Sequence, residues 1–178
     1  CNLARMTLVP IPPHALVSLL RGTAPILKHE PRATTLRWDR SGAYVLSFAS
    51  TRGASEEIRV APHPDDWQKP WQSQRMRLTQ VSVEQTGTVL YRAELSGHFS
   101  AKMSVPRVDD DGIEAPIPTS GPECHAEVPR AIHLEVPGSD QDVVFRYDDV
   151  SWNPPLPDGA FVQEAPAGLA RGFVDCPR

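Results

Sequence analysis

Apolar and polar positions along this chain follow two periods, first helical and then strand-like. Leu16, Leu19 and Leu20 recur at i, i+3 and i+4, which sets them on one stripe of a helix. Pro12 and Pro13 suit its first turn, where a missing N–H removes no hydrogen bond. Gly22 suits its stop, directly after Arg21 in the last turn. A helix of about ten residues is marginal alone, so it must pack on something.

Downstream the period drops to two. Residues 34–39 put Leu36 and Trp38 on one face. Residues 43–50 alternate Tyr44, Leu46 and Phe48 against Val45, Ser47 and Ala49, and 57–61 bring Ile58 and Val60. Ser41-Gly42 and Arg52-Gly53 supply the turns. Residues 75–84 and 88–96 read as a hairpin around Gln85-Thr86-Gly87, carrying Met76 and Leu78, then Val89, Tyr91, Ala93 and Leu95. Strands over 131–136, 142–150 and 159–164 follow, with a last short one over 171–176. Short strands broken by turns at this spacing predict a mainly β, antiparallel fold. The segment 105–124 reads as an inserted irregular loop within one domain spanning 1–178.

Composition refines this picture. With 178 residues the chain suits one domain with a real core. Its 19 prolines favour short elements joined by stiff loops. No segment approaches the ~20 apolar residues of a membrane-spanning helix. The net charge of −4 divides into +6 over residues 1–107 and −10 over 108–178. The arginines are scattered singly, without a basic run, so no nucleic-acid partner is expected, and the two halves are expected to neutralise each other across one sheet.

The three cysteines form no CxxC pair. A Cys124–Cys176 bridge would close a loop of about 50 residues, stabilise by roughly 4 kcal/mol and imply an oxidising compartment. Two free thiols are the alternative. Cys1 is either a lipidated N-terminus or an internal residue of a trimmed chain.

Candidate chemistry is sparse. There is no GxSxG, HExxH or Walker motif, so an enzyme is not expected. No cofactor or metal is expected either. Asp109-Asp110-Asp111 with Glu114 lacks the EF-hand spacing. His63-Pro64-Asp65-Asp66 and Cys124-His125 lack partners at a recognised spacing. Trp67 and Trp71 form either a partner-gripping loop or a cap folded back on the sheet. The large apolar strand residues Trp38, Tyr44, Leu46, Phe48, Met76, Leu78, Tyr91 and Phe145 are the candidate wall of an apolar cavity, with Leu16, Leu19 and Leu20 as its lid. An ordinary core under a helix requires the same pattern, and both readings stand.

Several segments carry a resemblance. They are Pro129-Arg-Ala-Ile-His-Leu-Glu-Val-Pro137, Asp142-Val-Val-Phe-Arg-Tyr-Asp-Asp-Val150, Trp152-Asn-Pro-Pro-Leu-Pro-Asp-Gly-Ala-Phe161 and Ala165-Pro-Ala-Gly168. With Ile11–Gly22 and the hairpin, this order resembles the LolA/LolB-like lipoprotein-localisation superfamily, and more narrowly the LolB-like lipoproteins of myxobacteria and their relatives. The resemblance implies a sheet curled into a half-barrel, closed by helices over an apolar cavity. It implies non-catalytic binding of lipid or lipoprotein acyl chains in the periplasm, at the outer membrane, by a peripheral or lipid-anchored protein. In such relatives a further part of the sheet precedes the helix, so the resemblance implies a chain that lacks an N-terminal portion of its sheet, with the lipidated cysteine upstream. The 105–124 loop departs from the family pattern, and the hydrophobic loop that engages membranes has no counterpart. The alternative is a structural or interaction subunit of an envelope assembly, contacting other envelope proteins on the same scaffold.

Overall fold

The computed structural model describes residues 11–106, 118–122, 126–156, 158–162 and Gly168. The described residues of Asn2–Phe99 and Glu127–Asp148 form one compact unit, and those of Ser100–Ala126 and Asp149–Arg178 form another. Cys1, Cys124, Cys176, Asp109 to Asp111, Glu114 and the strand expected over 171–176 lie outside the described residues.

The elements in chain order are α1 (Pro13–Leu20), β1 (His29–Trp38), β2 (Tyr44–Ser50), β3 (Ala54–Pro62), β4 (Met76–Gln85), β5 (Thr88–Ser96), β6 (Phe99–Ser100), β7 (Lys102–Met103), β8 (Glu127–Val128), β9 (Ala131–Val136), β10 (Gln141–Arg146) and β11 (Ser151–Trp152). Seven of them form an antiparallel sheet in the order β1-β2-β3-β4-β5-β9-β10. The fold is mainly β, as the alternation predicts. The sheet is neither closed nor strongly curled, and β1 and β10 are its two ends.

Register carries one apolar row across all seven strands. Leu36, Leu46, Ile58, Val81, Ala93, Leu134 and Val143 stand opposite one another in turn. The middle of the row, from Ile58 to Leu134, is buried, while Leu36 at the β1 end is 66% exposed. Each fully buried Val, Leu or Ile contributes roughly 1.5–3 kcal/mol, so the centre of the row is the main stabilising feature. A flanking row runs Phe48, Glu56, Val83 and Tyr91.

Helix α1 covers this centre with Leu16 and Leu19. Its end is a Schellman motif: Thr23 N–H donates to Ser18 O at 2.9 Å and Gly22 N–H to Leu19 O at 2.8 Å. Gly22 has φ +72°, and a Cβ there would lie 2.7 Å from Pro129 Cδ. The Tyr147 hydroxyl donates to Leu20 O at 3.0 Å and fixes the helix end over the sheet.

The hairpin and β9 match their expected spans closely. Strand β1 starts earlier than its pattern predicts. It contains Pro31, which an edge strand tolerates beside the irregular register between His29 and Thr34. Strand β10 ends at Arg146 rather than at 150. In the second unit β7 and β11 pair in parallel, and Lys102 Nζ lies 2.6 Å from Asp149 Oδ2. The strand expected over 159–164 is a turn in its described part, with Val162 N–H donating to Gly159 O at 2.8 Å.

Gly22→Ala is expected to lower stability by at least ~1 kcal/mol, through the positive φ and the Pro129 clash together. Chemical denaturation of the variant against the parent measures this.

Candidate functional site

Helix α1 is only eight residues long, whereas the sheet beneath it has seven strands. Among the described residues this one short helix leaves part of the apolar face uncovered. At the end of the sheet where β4 and β5 meet in their hairpin, this leaves a cavity of about 520 Å³. That volume lies within the range of sites that bind small molecules, roughly 300–1,000 Å³. Ile11, Ala15, Pro25, Val83, Tyr91 and Val136 are its buried apolar lining, with Leu27 and Ala54 partly buried. Ile26 and Leu90, 56% and 41% exposed, extend apolar surface to the outside. His14, Arg52, Gln85, Thr88 and Ser139 are its exposed polar lining.

One wall is the short segment from Pro25 to Leu27, which has no strand or helix of its own. A buried carboxylate anchors it: Glu56 Oε2 accepts the Leu27 N–H at 2.8 Å. Glu56 faces the core from β3, 1% exposed, two residues along the strand from the cavity-lining Ala54. Burial pushes its carboxyl up to about 7, against the opposing pull of the Leu27 hydrogen bond and the neighbouring His29. Its Oε1 has no hydrogen-bond partner among the described residues. The Tyr91 phenol, across the same row, is raised by its own burial and then by the Glu56 charge. His29 closes the back of the segment, with its Nδ1 2.8 Å from Leu27 O and its ring stacked 4.1 Å from Phe48.

The expected wall and lid residues fall into three groups. Leu16, Leu19, Phe48, Leu78 and Tyr91 are buried in the core, where they fill the space beneath α1. Leu20, Leu46 and Phe145 pack against that core from its margin. Trp38 and Met76 are 49% and 40% exposed, and the partly buried Tyr44 meets Trp38 edge-on at 4.6 Å. Of these residues only Tyr91 lines the cavity. The open space therefore lies farther along the hairpin than the pattern of large side chains predicts. Ile26, Leu27, Val83, Val89 and Leu90 were its unrecognised residues. The alternation of Val83 with Val81, and the apolar run Pro25-Ile26-Leu27 just before β1, were the available signals.

The Trp67–Trp71 loop is held by charge. Asp66, fully buried, accepts from Arg75 Nε at 2.8 Å and from Lys69 Nζ at 2.6 Å, which hold its carboxyl far below the usual carboxylate range. Trp67 folds back on the sheet, edge-on to Trp38 at 6.1 Å, yet remains 52% exposed, and Trp71 is 66% exposed. Beneath the loop His63 Nε2 lies 3.4 Å from Glu127, which Arg77 grips with two hydrogen bonds of 2.6 Å. These side chains are committed to one another. Among the described residues no three His, Cys, Asp or Glu side chains are placed to hold a metal ion.

The opposite face of the sheet is polar and laced by ion pairs. Arg59 lies 2.8 Å from Asp39 and 3.0 Å from Glu57, and Arg92 lies 3.7 Å from Glu135. His133 Nε2 is 2.6 Å from Asp142 on the same face. The Arg92–Glu135 and Arg77–Glu127 pairs join the basic and acidic parts of the sequence locally.

Because Glu56 holds its proton more tightly in the fold than in the unfolded chain, its own contribution to stability is full below about pH 4.5 and is lost as pH rises through 7. The upper limit of this decline is about 3 kcal/mol. Glu56→Gln, which keeps an acceptor for Leu27 N–H and cannot ionise, is expected to flatten it. The difference between parent and variant in urea unfolding at pH 5 and pH 8 isolates the effect.

Compared with known protein families, with curated proteins and with solved structures, the chain has no significant match.

Proposed function

We propose that this chain is a non-catalytic binding protein that holds an acyl chain, or a ligand of similar apolar character, in the cavity beside α1. The observation that carries this reading is an apolar-floored space of about 520 Å³ beside the buried centre of the sheet face. A tightly packed domain closes such space unless an occupant or a partner replaces the missing contacts. Each methylene taken from water into it contributes about 0.8 kcal/mol, which accumulates quickly along a flexible chain.

The same reading takes the sheet as the wall of a LolA/LolB-like half-barrel and α1 as its lid. It places the protein in the bacterial periplasm at the outer membrane, with lipid or lipoprotein acyl chains as ligands. Antiparallel order, one covering helix and a cavity beside it support the fold part of this reading. No helix among the described residues is long and apolar enough to cross a membrane.

Native mass spectrometry of the purified protein is expected to show copurified lipid that organic extraction removes. Ala54→Phe, which pushes a ring into the cavity, is expected to weaken binding of a sixteen-carbon chain roughly tenfold or more without unfolding the sheet. Unchanged binding by a folded Ala54→Phe variant would place the ligand outside this cavity.

A second reading, an interaction subunit of an envelope assembly, is favoured by one specific observation. Leu36, Trp38, Trp67 and Trp71 are all about half or more exposed. Large aromatic side chains at that exposure are typical anchors of protein interfaces. On this reading the Trp67→Ala, Trp71→Ala double variant loses cross-linking to its envelope partner and keeps its acyl ligand.

A further inference from the structure

The polar lining of the apolar cavity is chemically one-sided. Among the described residues no Asp or Glu lines this cavity, whereas Arg52 and His14 both do. Both are exposed, and neither makes an ion pair among the described residues. The other large cavity, on the polar face of the sheet, differs in this respect. Its Arg59 and Arg92 are paired with carboxylates, and Glu57 and Glu84 line it beside them.

Arg52 is also presented from a fixed base. It sits in the turn between β2 and β3, where its N–H donates to Ser50 Oγ at 3.1 Å and Gly53 N–H donates to Ser50 O at 3.1 Å. The backbone is thus anchored while the guanidinium is left without a carboxylate. His14 approaches from the first turn of α1, so the two groups come from different elements. An arginine so placed can give two parallel N–H donors to a carboxylate or phosphate.

We propose that the ligand is an amphiphile with one anionic head, a carboxylate or a phosphate. Arg52 binds the head, His14 donates to it, and the alkyl chain runs inward over Leu27, Val83 and Tyr91. This rests on the apolar-binding reading above and adds the chemistry of the head group. A neutral chain would fit the same floor and leave Arg52 without a partner.

The test measures binding of three sixteen-carbon probes, the carboxylate, the alkyl phosphate and the alcohol, to the parent, Arg52→Gln, Arg52→Lys and His14→Ala. Both anions are expected to bind the parent about fivefold more tightly than the alcohol at low salt, a preference that shrinks as salt rises. Arg52→Gln is expected to abolish the preference by weakening the two anions far more than the alcohol, Arg52→Lys to keep most of it, and His14→Ala to reduce it. Equal binding of acid and alcohol by the parent overturns the head-group assignment while the cavity reading stands. Failure of all three probes overturns the cavity reading itself.

Vesicles of zwitterionic lipid with and without phosphatidic acid separate the two sources of the anion. Extraction of phosphatidic acid that depends on Arg52 points to a membrane headgroup. Binding of the soluble carboxylate alone points to a free fatty acid.

Discussion

The apolar face of the seven-stranded sheet has to be covered, and only one eight-residue helix is present among the described residues to cover it. Much else about the molecule follows from that mismatch. Where α1 lies, Leu16 and Leu19 meet Ile58, Val81, Ala93 and Leu134 in a close-packed core. Away from it, burial falls off along the same cross-strand row until Leu36 stands in solvent at the β1 end. At the hairpin end the uncovered surface folds inward as a cavity instead. Both margins present apolar surface, one as an open patch and one as a concave site.

Burial of Glu56 in this core ties the cavity to the electrostatics of the fold. An unpaired carboxylate in an apolar row is costly, and its raised pKa is the expected response. In exchange it holds Leu27, and with it the Pro25–Leu27 wall. Replacing it by a leucine would improve the row as a row and release that wall. The acid is thus better understood as a device that shapes the site than as a stabilising contact. The ion pairs elsewhere work differently. Asp66 with Arg75 and Lys69, and Glu127 with Arg77, are matched charges that position loops. Partial exposure limits what each adds to stability.

Legibility from sequence varied with how local the controlling physics was. The hairpin around Gln85-Thr86-Gly87, the alternation in β2 and β9, and the Gly22 stop of α1 depend on period and on backbone freedom at a few residues. They could be read directly. The early part of β1 could not, because Pro31 argues against a strand everywhere except at an edge. That the sheet stays open was equally invisible, since closure depends on strand tilt and stagger rather than on which residues alternate.

Sequence by itself determined that this is an antiparallel β protein with one apolar sheet face and one short leucine-faced helix to lie on it. It determined the identity of the large side chains on that face, because alternation assigns each residue to a side. Tertiary structure alone decided which of them fill the core and which border empty space. That depends on where α1 lands and on how Glu56 draws Leu27 across the sheet, contacts between residues 29 positions apart. The cavity is therefore lined by Tyr91 from the expected wall together with Ile26, Leu27, Val83 and Leu90, and its mouth by Arg52 and His14. Packing, unlike periodicity, is a property of the whole face at once.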